Sequence, residues 1–283
     1  MIQCRLIGKD IAKSMSPLFH NQLSKYLDID LDYQLKELDH STFTQFLGLS
    51  YQLQHQGISC ANVTYPYKEL AYSIADEVDS SAKKVCAANT LLFKHGKIHA
   101  FNTDYSGFIK AYRANRQALP GKVVIVGCGG VGKAIATALQ ELQAASISLY
   151  DKDLKKMQTL SAALGNRFGK VEMLTERALS DAIASADGVV NCTPLGHYAH
   201  PGSAVPLNLI EKQSWVFDAV YTPINTPFIC QAQKKNMTVI TGEQLFIHQA
   251  IDAFELFTQK KVAKNQFETF RKSRLEPLLE VQY

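Results

Sequence analysis

A glycine-rich stretch in the middle of the chain limits the fold more than any other feature. Residues 123–126 form an apolar, strand-like run that leads directly into Gly127, Gly129 and Gly132, which are spaced as G-x-G-x-x-G. The first glycine permits a tight turn, the second lets the backbone approach a pyrophosphate, and the third lets the following helix lie close to its strand. The N–H groups at that helix N-terminus attract phosphate. The pattern predicts a Rossmann-type dinucleotide-binding domain in which Gly130 and Val131 also contact the cofactor.

An acidic residue follows this stretch at a suitable distance. A second strand-like run, 146–150, ends at Asp151, near the spacing at which a carboxylate holds an adenosine ribose. A carboxylate there accepts hydrogen bonds from a free 2′-hydroxyl and repels a 2′-phosphate, which favours NAD, although the charge of Lys152 would partly offset that repulsion. The alternative is an ordinary α/β turn, with Asp151 only capping the next helix.

The length and composition are typical of a folded chain with more than one domain. At 283 residues it suits two domains, and its 46% of hydrophobic residues can fill two cores. The formal net charge of +4 is spread over interleaved acidic and basic residues, so we expect no nucleic-acid partner.

The cysteines and histidines suggest no metal or disulfide framework. None of the six cysteines is paired as C-x-x-C, so buried, reduced thiols are expected. A hydrolase metal site at His197 and His200 is disfavoured because no carboxylate lies near them in sequence. No apolar run approaches the ~20 residues that span a bilayer, so we expect a cytoplasmic protein without a membrane partner.

The N-terminal part alternates strand-like and helical segments, which predicts a parallel sheet followed by a hairpin turned at His95-Gly96. Ligands collect beyond the carboxyl ends of parallel strands, so Thr64 and Lys68, after the run 57–63, are expected at a crevice. A surface position for Lys68 is equally compatible with the pattern.

Three further positions allow both a structural and a functional interpretation. Ser16 before Pro17 is typical of a helix N-cap, and with Ser14 it would also suit a bound carboxylate. Asn89 could be structural, and Asp104 could be an N-cap or first-turn residue. The chain ends with two predicted helices, an amphipathic one that carries Gln249 beside its apolar stripe and another from Asn265 to about Leu279.

Several of these segments, in their order, resemble the shikimate dehydrogenase family over nearly the whole chain. The matching stretches are 14–21 (SMSPLFHN), 62–68 (NVTYPYK), 102–104 (NTD), 191–196 (NCTPLG) and 218–223 (DAVYTP) with Thr226-Pro227.

The resemblance implies an α/β protein of two domains. A substrate domain would comprise residues 1–103 plus 243–283, so that C-terminal helices complete it, and a Rossmann domain would comprise residues 104–242. The implied reaction is the reversible reduction of 3-dehydroshikimate to shikimate, a step in making aromatic amino acids, by a monomer or homodimer.

The resemblance also implies roles for individual residues. Lys68 and Asp104 would form the catalytic pair, in which an ammonium supplies a proton to the oxygen that becomes charged when hydride arrives. Other residues would bind the substrate or, after the glycine loop, the cofactor: Ser14 and Ser16 at the carboxylate, Thr64, Asn89, Gln249 and Tyr221 around the ring, and Thr193, Pro194 and Gly242 at the dinucleotide.

The sequence departs from the family pattern in places that bear on specificity. Asp10 and Lys13 replace the usual Pro and His, and Gln244-Leu245-Phe246 replaces Gly-Met-Leu. Members of the family that use NADP have a segment similar to Asn-Arg-Thr at the position of Tyr150-Asp151-Lys152 in this chain. The usual cofactor of the family is therefore NADP, whereas Asp151 favours NAD. An NAD-dependent quinate/shikimate dehydrogenase therefore remains an alternative. A non-catalytic dinucleotide sensor is a further one, against which the presence of Lys68 and Asp104 argues.

Overall fold

The computed structural model describes residues 1–165 and 169–275, which form two compact units. The first unit contains Met1–Thr103 and the described residues from Gln249 onward, and the second contains Asp104–His248. The sequence placed the second boundary between Gly242 and Glu243, whereas the units divide farther along the same helix. Each unit is described by itself below.

The second unit is built on a six-stranded, fully parallel sheet in the order β12-β11-β10-β7-β8-β9. This is the doubly wound dinucleotide-binding order, in which the direction of winding reverses between the first and fourth strands, here β7 and β10. The Rossmann-type prediction is confirmed. The strands are β7 (Lys122–Val126), β8 (Ser146–Tyr150), β9 (Lys170–Met173), β10 (Gly188–Asn191), β11 (Trp215–Asp218) and β12 (Thr238–Thr241).

Helices connect these strands and cover the sheet. Buried strand residues such as Val124, Val189 and Val216 share a core with Ile183 and Phe228 from two of the helices. The helices are α5 (Thr103–Asn115), α6 (Gly130–Glu141), α7 (Leu154–Leu164), α8 (Glu176–Ser185), α9 (Pro227–Lys234) and α10 (Gly242–Thr258), the last continuing into the first unit.

The first unit contains a six-stranded mixed sheet in the order β2-β1-β3-β5-β6-β4. Strand β1 is parallel to both β2 and β3, and the hairpin β5–β6 adds antiparallel pairs beside β3. The hairpin turns at His95 and Gly96, as the sequence predicted, and both residues have positive φ. The elements are β1 (Ile2–Gly8), α1 (Ser16–Tyr26), β2 (Leu31–Glu37), α2 (Phe43–His55), β3 (Cys60–Val63), α3 (Lys68–Ser73), β4 (Glu77–Val78), α4 (Ser80–Val85), β5 (Thr90–Lys94), β6 (Lys97–Phe101) and α11 (Lys264–Phe270).

An aromatic cluster ties the C-terminal helices to the first unit. The Phe270 ring meets the Phe19 ring edge-on at 6.0 Å between centroids, and His20 stacks on Tyr33 at 4.5 Å and contacts Phe254. Burial lowers the pKa of His20 to about 3, so the imidazole is neutral and acts as one more flat ring. The expectation that C-terminal helices complete the substrate domain is therefore confirmed.

Some sequence predictions need correction. Helix α1 begins at Ser16 itself and its N-cap is Met15, so Ser16 is not the predicted cap and Pro17 is the second helical residue. The thiols are not uniformly buried, since Cys86 is exposed. The helix predicted from Asn265 is α11 followed by a π-helical turn at Arg271–Leu275, and its predicted end at Leu279 lies outside the described residues.

Candidate active site

The loops that follow β1 and β3 meet at the carboxyl ends of their strands. The Lys9 N–H donates to the Tyr65 carbonyl at 3.0 Å, and a Cβ on Gly8 would lie 2.3 Å from Thr64 Cγ2. Since β2 and β3 flank β1, winding reverses between β1 and β3, which is where open α/β sheets bind ligands. The topology therefore brings the segment that carries Ser14 and Ser16 to the same edge as Thr64 and Lys68.

Ser14 and Ser16 interact with each other at the N-terminus of α1. The Ser16 N–H donates to Ser14 Oγ at 3.3 Å, and the two hydroxyl oxygens are also 3.3 Å apart. Met15, the N-cap residue of this 11-residue helix, makes no side-chain capping hydrogen bond. Two half-buried hydroxyls beside a helix N-terminus suit a carboxylate.

Lys68 and Asp104 each lie in the first turn of a helix. Lys68 is the half-buried first residue of α3, and its carbonyl accepts a hydrogen bond from Ala88 N–H at 2.9 Å, one residue before Asn89. Asp104 is the second residue of α5 and therefore lies in its first turn. Its side chain is only 7% exposed. The two belong to different units, and their pairing stays a prediction.

Asn89 and Gln249 are joined by a run of hydrogen bonds, which we call the polar chain: Tyr33, Asn62, Thr90, Asn89, Thr103 and Gln249. The four middle members are each at most 7% exposed. The closest contact is the 2.7 Å hydrogen bond from Thr103 N–H to Asn89 Oδ1. Two predicted substrate ligands from distant parts of the sequence thus share one buried network.

The glycine loop, Gly127–Gly132, has the shape that a pyrophosphate requires. Gly127 has φ of +102°, and a Cβ there would lie 2.9 Å from Thr193 N. A Cβ on Gly132 would lie 2.1 Å from the Gly127 carbonyl oxygen, whereas one on Gly129 would meet nothing within 4 Å. Helix α6 begins here without a side-chain cap. Backbone N–H groups and open space therefore stand where a dinucleotide phosphate would bind.

Asp151 is directed at the glycine loop. Its Oδ2 accepts from the Cys128 N–H at 2.7 Å, and its Oδ1 accepts from the Asp153 N–H at 2.9 Å. The cap of α7 is Asp153, which excludes the alternative that Asp151 is merely a helix cap. The neighbouring Lys152 is exposed.

A second buried network fixes the loops after β10 and β11. Asn191 Nδ2 donates to Asp218 Oδ1 at 2.9 Å, and the Thr226 hydroxyl donates to Asp218 Oδ2 at 2.6 Å. Asn191 Oδ1 also accepts from the N–H and the hydroxyl of Thr193. Burial raises the pKa of the fully buried Asp218 to about 6, although these hydrogen bonds work in the opposite direction. Thr193 and Pro194 are held beside the glycine loop by this network.

The comparisons with known proteins agree with both units. Residues 6–91 match the shikimate dehydrogenase substrate binding domain, and residues 99–213 match the C-terminal domain of alanine dehydrogenase/PNT. A shikimate dehydrogenase (NADP(+)) from Arthrobacter sp. is 33% identical over 261 residues, which cover 89% of this chain and 88% of the relative. A quinate/shikimate dehydrogenase (NAD(+)) from Corynebacterium efficiens is 34% identical over 274 residues, covering 89% and 91%.

Solved structures match over almost the full length. Quinate dehydrogenase from Corynebacterium glutamicum, in complex with NAD, is 32% identical with a TM-score of 0.86 and covers 96% of this chain and 99% of that one. Shikimate 5-dehydrogenase from Thermus thermophilus, in complex with NADP(H) and shikimate, is 26% identical with a TM-score of 0.82 and the same coverage. This chain belongs to the shikimate dehydrogenase family. The resemblance seen in the sequence is confirmed. The chain is therefore an oxidoreductase that uses NAD or NADP.

The shikimate dehydrogenase fold also shows contacts that the sequence analysis missed. Tyr221 stacks on Phe246 with 5.5 Å between ring centroids and 19° between planes. Gly242 is required at the start of α10 because a Cβ there would lie 2.4 Å from the Ala219 carbonyl oxygen. Thr103 is buried and donates its N–H to Asn89 Oδ1, a role that no local sequence pattern around it indicates.

The described residues offer neither a metal centre nor a membrane-spanning helix. No group of three or more His, Cys, Asp or Glu side chains in residues 1–165 and 169–275 is arranged to hold a metal ion. Among the helices of that same part of the chain, none is both long and apolar enough to cross a membrane.

Proposed function

We propose that this chain interconverts shikimate and 3-dehydroshikimate with NAD as its preferred cofactor. The family and the relatives named as shikimate dehydrogenases support the reaction. The observation that carries the cofactor preference is the carboxylate of Asp151, held at 2.7 Å from a glycine-loop N–H. A ribose 2′-hydroxyl can donate to such a carboxylate, while a 2′-phosphate would place like charges together.

In this proposal a nicotinamide dinucleotide held by the glycine loop and Asp151 would supply the redox chemistry, as acceptor or donor of the hydride on the substrate carbon. Ser14, Ser16 and the N-terminus of α1 bind the substrate carboxylate, while Thr64, Asn89, Gln249 and Tyr221 hold the ring. The chain must also take the hydroxyl proton as that carbon becomes a ketone. Lys68 receives it through its amine and gives it back from its ammonium in reduction, and Asp104 orients Lys68 and the hydroxyl.

The cofactor residues follow from the same proposal. The glycine loop, with Gly129, Gly130 and Val131 at the first turn of α6, receives the pyrophosphate. Asp151 binds the adenosine ribose beside Lys152, and Thr193, Pro194 and Gly242 line the dinucleotide. We further expect a cytoplasmic monomer or homodimer, which sedimentation of the purified protein would resolve.

A quinate/shikimate dehydrogenase is the second candidate. Two observations favour it: Asp151, and relatives from Corynebacterium that are named quinate/shikimate dehydrogenase (NAD(+)), one of them 39% identical over 209 residues. Quinate carries a carboxylate and ring hydroxyls like those of shikimate, so the same side chains would receive it.

Initial rates with shikimate and quinate, each with NAD and NADP, test the proposal. We expect kcat/KM for shikimate with NAD to exceed that with NADP at least tenfold. Comparable kcat/KM values for the two acids with NAD would establish the second candidate. Tight NAD binding without turnover of either acid would instead indicate a dinucleotide sensor.

The variant Asp151→Asn removes the charge, at the loss of the acceptor for the Asp153 N–H. The amide oxygen can still accept from Cys128 N–H, so the glycine loop keeps its support. We expect kcat/KM with NADP to rise and that with NAD to fall. An unchanged ratio would mean that Asp151 does not select the cofactor.

A further inference from the structure

Cys4 and Cys60 lie side by side in the core of the first unit. Their sulfur atoms are 2.6 Å apart, although the residues are 56 positions apart in sequence. Cys4 is on β1 and Cys60 is on β3, and the two are direct partners in the parallel register of these strands. Both side chains are at most 1% exposed, and both are free thiols in the structure. The fold therefore brings two free thiols into contact.

The backbone geometry of this pair is compatible with a disulfide. Neighbouring strands lie about 4.8 Å apart, so the Cα atoms of registered partners fall within the roughly 4.4–6.8 Å that disulfides bridge. A disulfide bond is about 2.05 Å long, so the two sulfur atoms need to approach by only about 0.5 Å. The pairing of β1 with β3 continues to Ile7 and Val63, which holds both backbones in place. The bond can therefore form without a rearrangement of the strands.

The surroundings of the pair make its oxidation slow. The Cys60 sulfur is 3.8 Å from the Ser59 hydroxyl and 3.8 Å from the Gln3 carbonyl oxygen. Burial raises the pKa of the Cys4 thiol, and the neighbouring Cys60 adds to this effect, while the charge of Arg5 opposes it. Because the thiolate is the reactive form, a protonated and buried thiol reacts slowly. A disulfide at the same place is equally shielded from reductants, so the pair suits a lasting bond and not a rapid sensor.

We propose that hydrogen peroxide converts Cys4 and Cys60 into a disulfide that joins β1 to β3 and stabilises the first unit. One thiol takes an oxygen atom from the peroxide and becomes a sulfenic acid, with release of water. The second thiol then attacks that sulfur, and a second water leaves as the S–S bond forms. The two thiols lose two electrons in total, and the peroxide gains them.

A disulfide at this position stabilises because it closes a long loop. The chain between the two cysteines contains α1, β2 and α2, and a cross-link removes much of the freedom of that segment in the unfolded state. The loops that carry Ser14 and Thr64 follow the opposite, carboxyl ends of β1 and β3, so they keep their places. Oxidation at this pair therefore stabilises the protein and leaves its activity unchanged.

Peptide mapping and thermal unfolding of the folded wild-type protein test the proposal. After peroxide treatment and alkylation of the remaining thiols, tryptic digestion without reductant should release Met1–Arg5 linked to Glu37–Lys68. The oxidised protein should melt about 5–10 °C above the reduced protein. Reduction in denaturant should separate the two peptides and remove the shift.

Two variants serve as matched controls. Cys4→Ala removes one partner and should abolish the rise in melting temperature, which also shows what peroxide does elsewhere in the chain. Cys86→Ser, at an exposed position, should keep the rise. The quantity compared is the difference between the oxidised and reduced forms of the same variant, so a stability loss from the substitution itself cancels. If Cys4→Ala does not fold, Cys60→Ser replaces it.

Each contrary outcome overturns a stated part of the proposal. If Cys86 becomes oxidised and no linked peptide forms, the pair consists only of two packed thiols and the proposal is wrong. A linked peptide with an unchanged or lower melting temperature would contradict stabilisation. Shikimate oxidation by Cys86→Ser should have the same kcat/KM before and after peroxide treatment, and a loss that reductant reverses would make the bond inhibitory. The peptide map and the melting temperatures need no turnover, so they are independent of the proposed function.

Discussion

In the proposed function the second unit binds its ligand mainly through backbone groups, whereas the first unit uses side chains. Glycines clear the space in front of α6, and adding a methyl group at Gly132 would strike a backbone oxygen at 2.1 Å. In the first unit the groups that we propose for substrate recognition are side-chain hydroxyls, amides and an amine, and the Asn89 amide is held by other buried polar side chains. Backbone N–H groups suit a phosphate, which many nucleotide cofactors share, whereas directed side chains suit the ring of one particular substrate.

Removing one side chain from the first unit should produce the largest effect on rate. We expect Lys68→Ala to lower kcat by roughly 10²- to 10⁴-fold, because general acid–base help is lost, while NAD still binds. Stopped-flow or steady-state rates together with NAD titration would measure this. Lys36→Ala, at an exposed position on β2, is the control. A kcat within a few-fold of wild type would exclude Lys68 as the proton carrier.

The first unit should also depend on its C-terminal helices for stability. Phe270 is fully buried against Phe19, so Phe270→Ala should cost about 3–5 kcal/mol in the free energy of unfolding. Urea denaturation gives this value, and Phe43→Ala, at an exposed position, should cost far less. Similar losses for the two variants would mean that the aromatic cluster does not hold the unit together.

The sequence predicts the second unit better than the polar contacts of the first, because the glycine motif is local and those contacts are not. The glycine loop and its strand lie in one short stretch whose spacing has a direct physical meaning, so the Rossmann order and the role of Asp151 near the loop could be expected. The hydrogen bond from Thr103 to Gln249 joins residues 146 positions apart, and no local pattern reveals it.

The start of α1 shows a different limit. A serine before a proline is typical of an N-cap, but the helix begins one residue earlier, at Ser16, with Met15 as its cap. Local preferences differ by only about 1 kcal/mol between neighbouring starts, so tertiary contacts can shift a helix end by one residue.

A methyl group in the second unit should separate cofactor binding from folding. A Cβ at Gly129 meets nothing within 4 Å, and the residue has φ of −75°, so Gly129→Ala should fold normally. It would nevertheless occupy space that the pyrophosphate needs, and we expect NAD affinity to fall about 10- to 100-fold with shikimate binding unchanged. Calorimetric titration with each ligand measures both affinities.

Gly132→Ala is the contrasting variant, because its Cβ would collide with the Gly127 carbonyl and should lower the melting temperature as well. Normal NAD affinity in Gly129→Ala would show that the open space before α6 does not receive the phosphates.

The smallest effect tests the buried polar network of Asn191, Asp218 and Thr226 in the second unit. The pKa of Asp218 is raised from 3.8 to about 6, chiefly by burial, so the folded protein keeps a proton that the unfolded chain releases between these values. Folding stability from this group is thus present at low pH and lost as pH rises through about 6, by about 2 kcal/mol between pH 4.5 and 7.5.

Asp218→Asn keeps an oxygen for Asn191 and Val220 but cannot titrate. Its free energy of unfolding, relative to wild type, should therefore increase over that interval. A difference that is constant with pH would mean that the hydrogen bonds from Asn191, Val220 and Thr226 outweigh burial and hold Asp218 ionised, and that the loop carrying Thr193 is fixed by a buried charge.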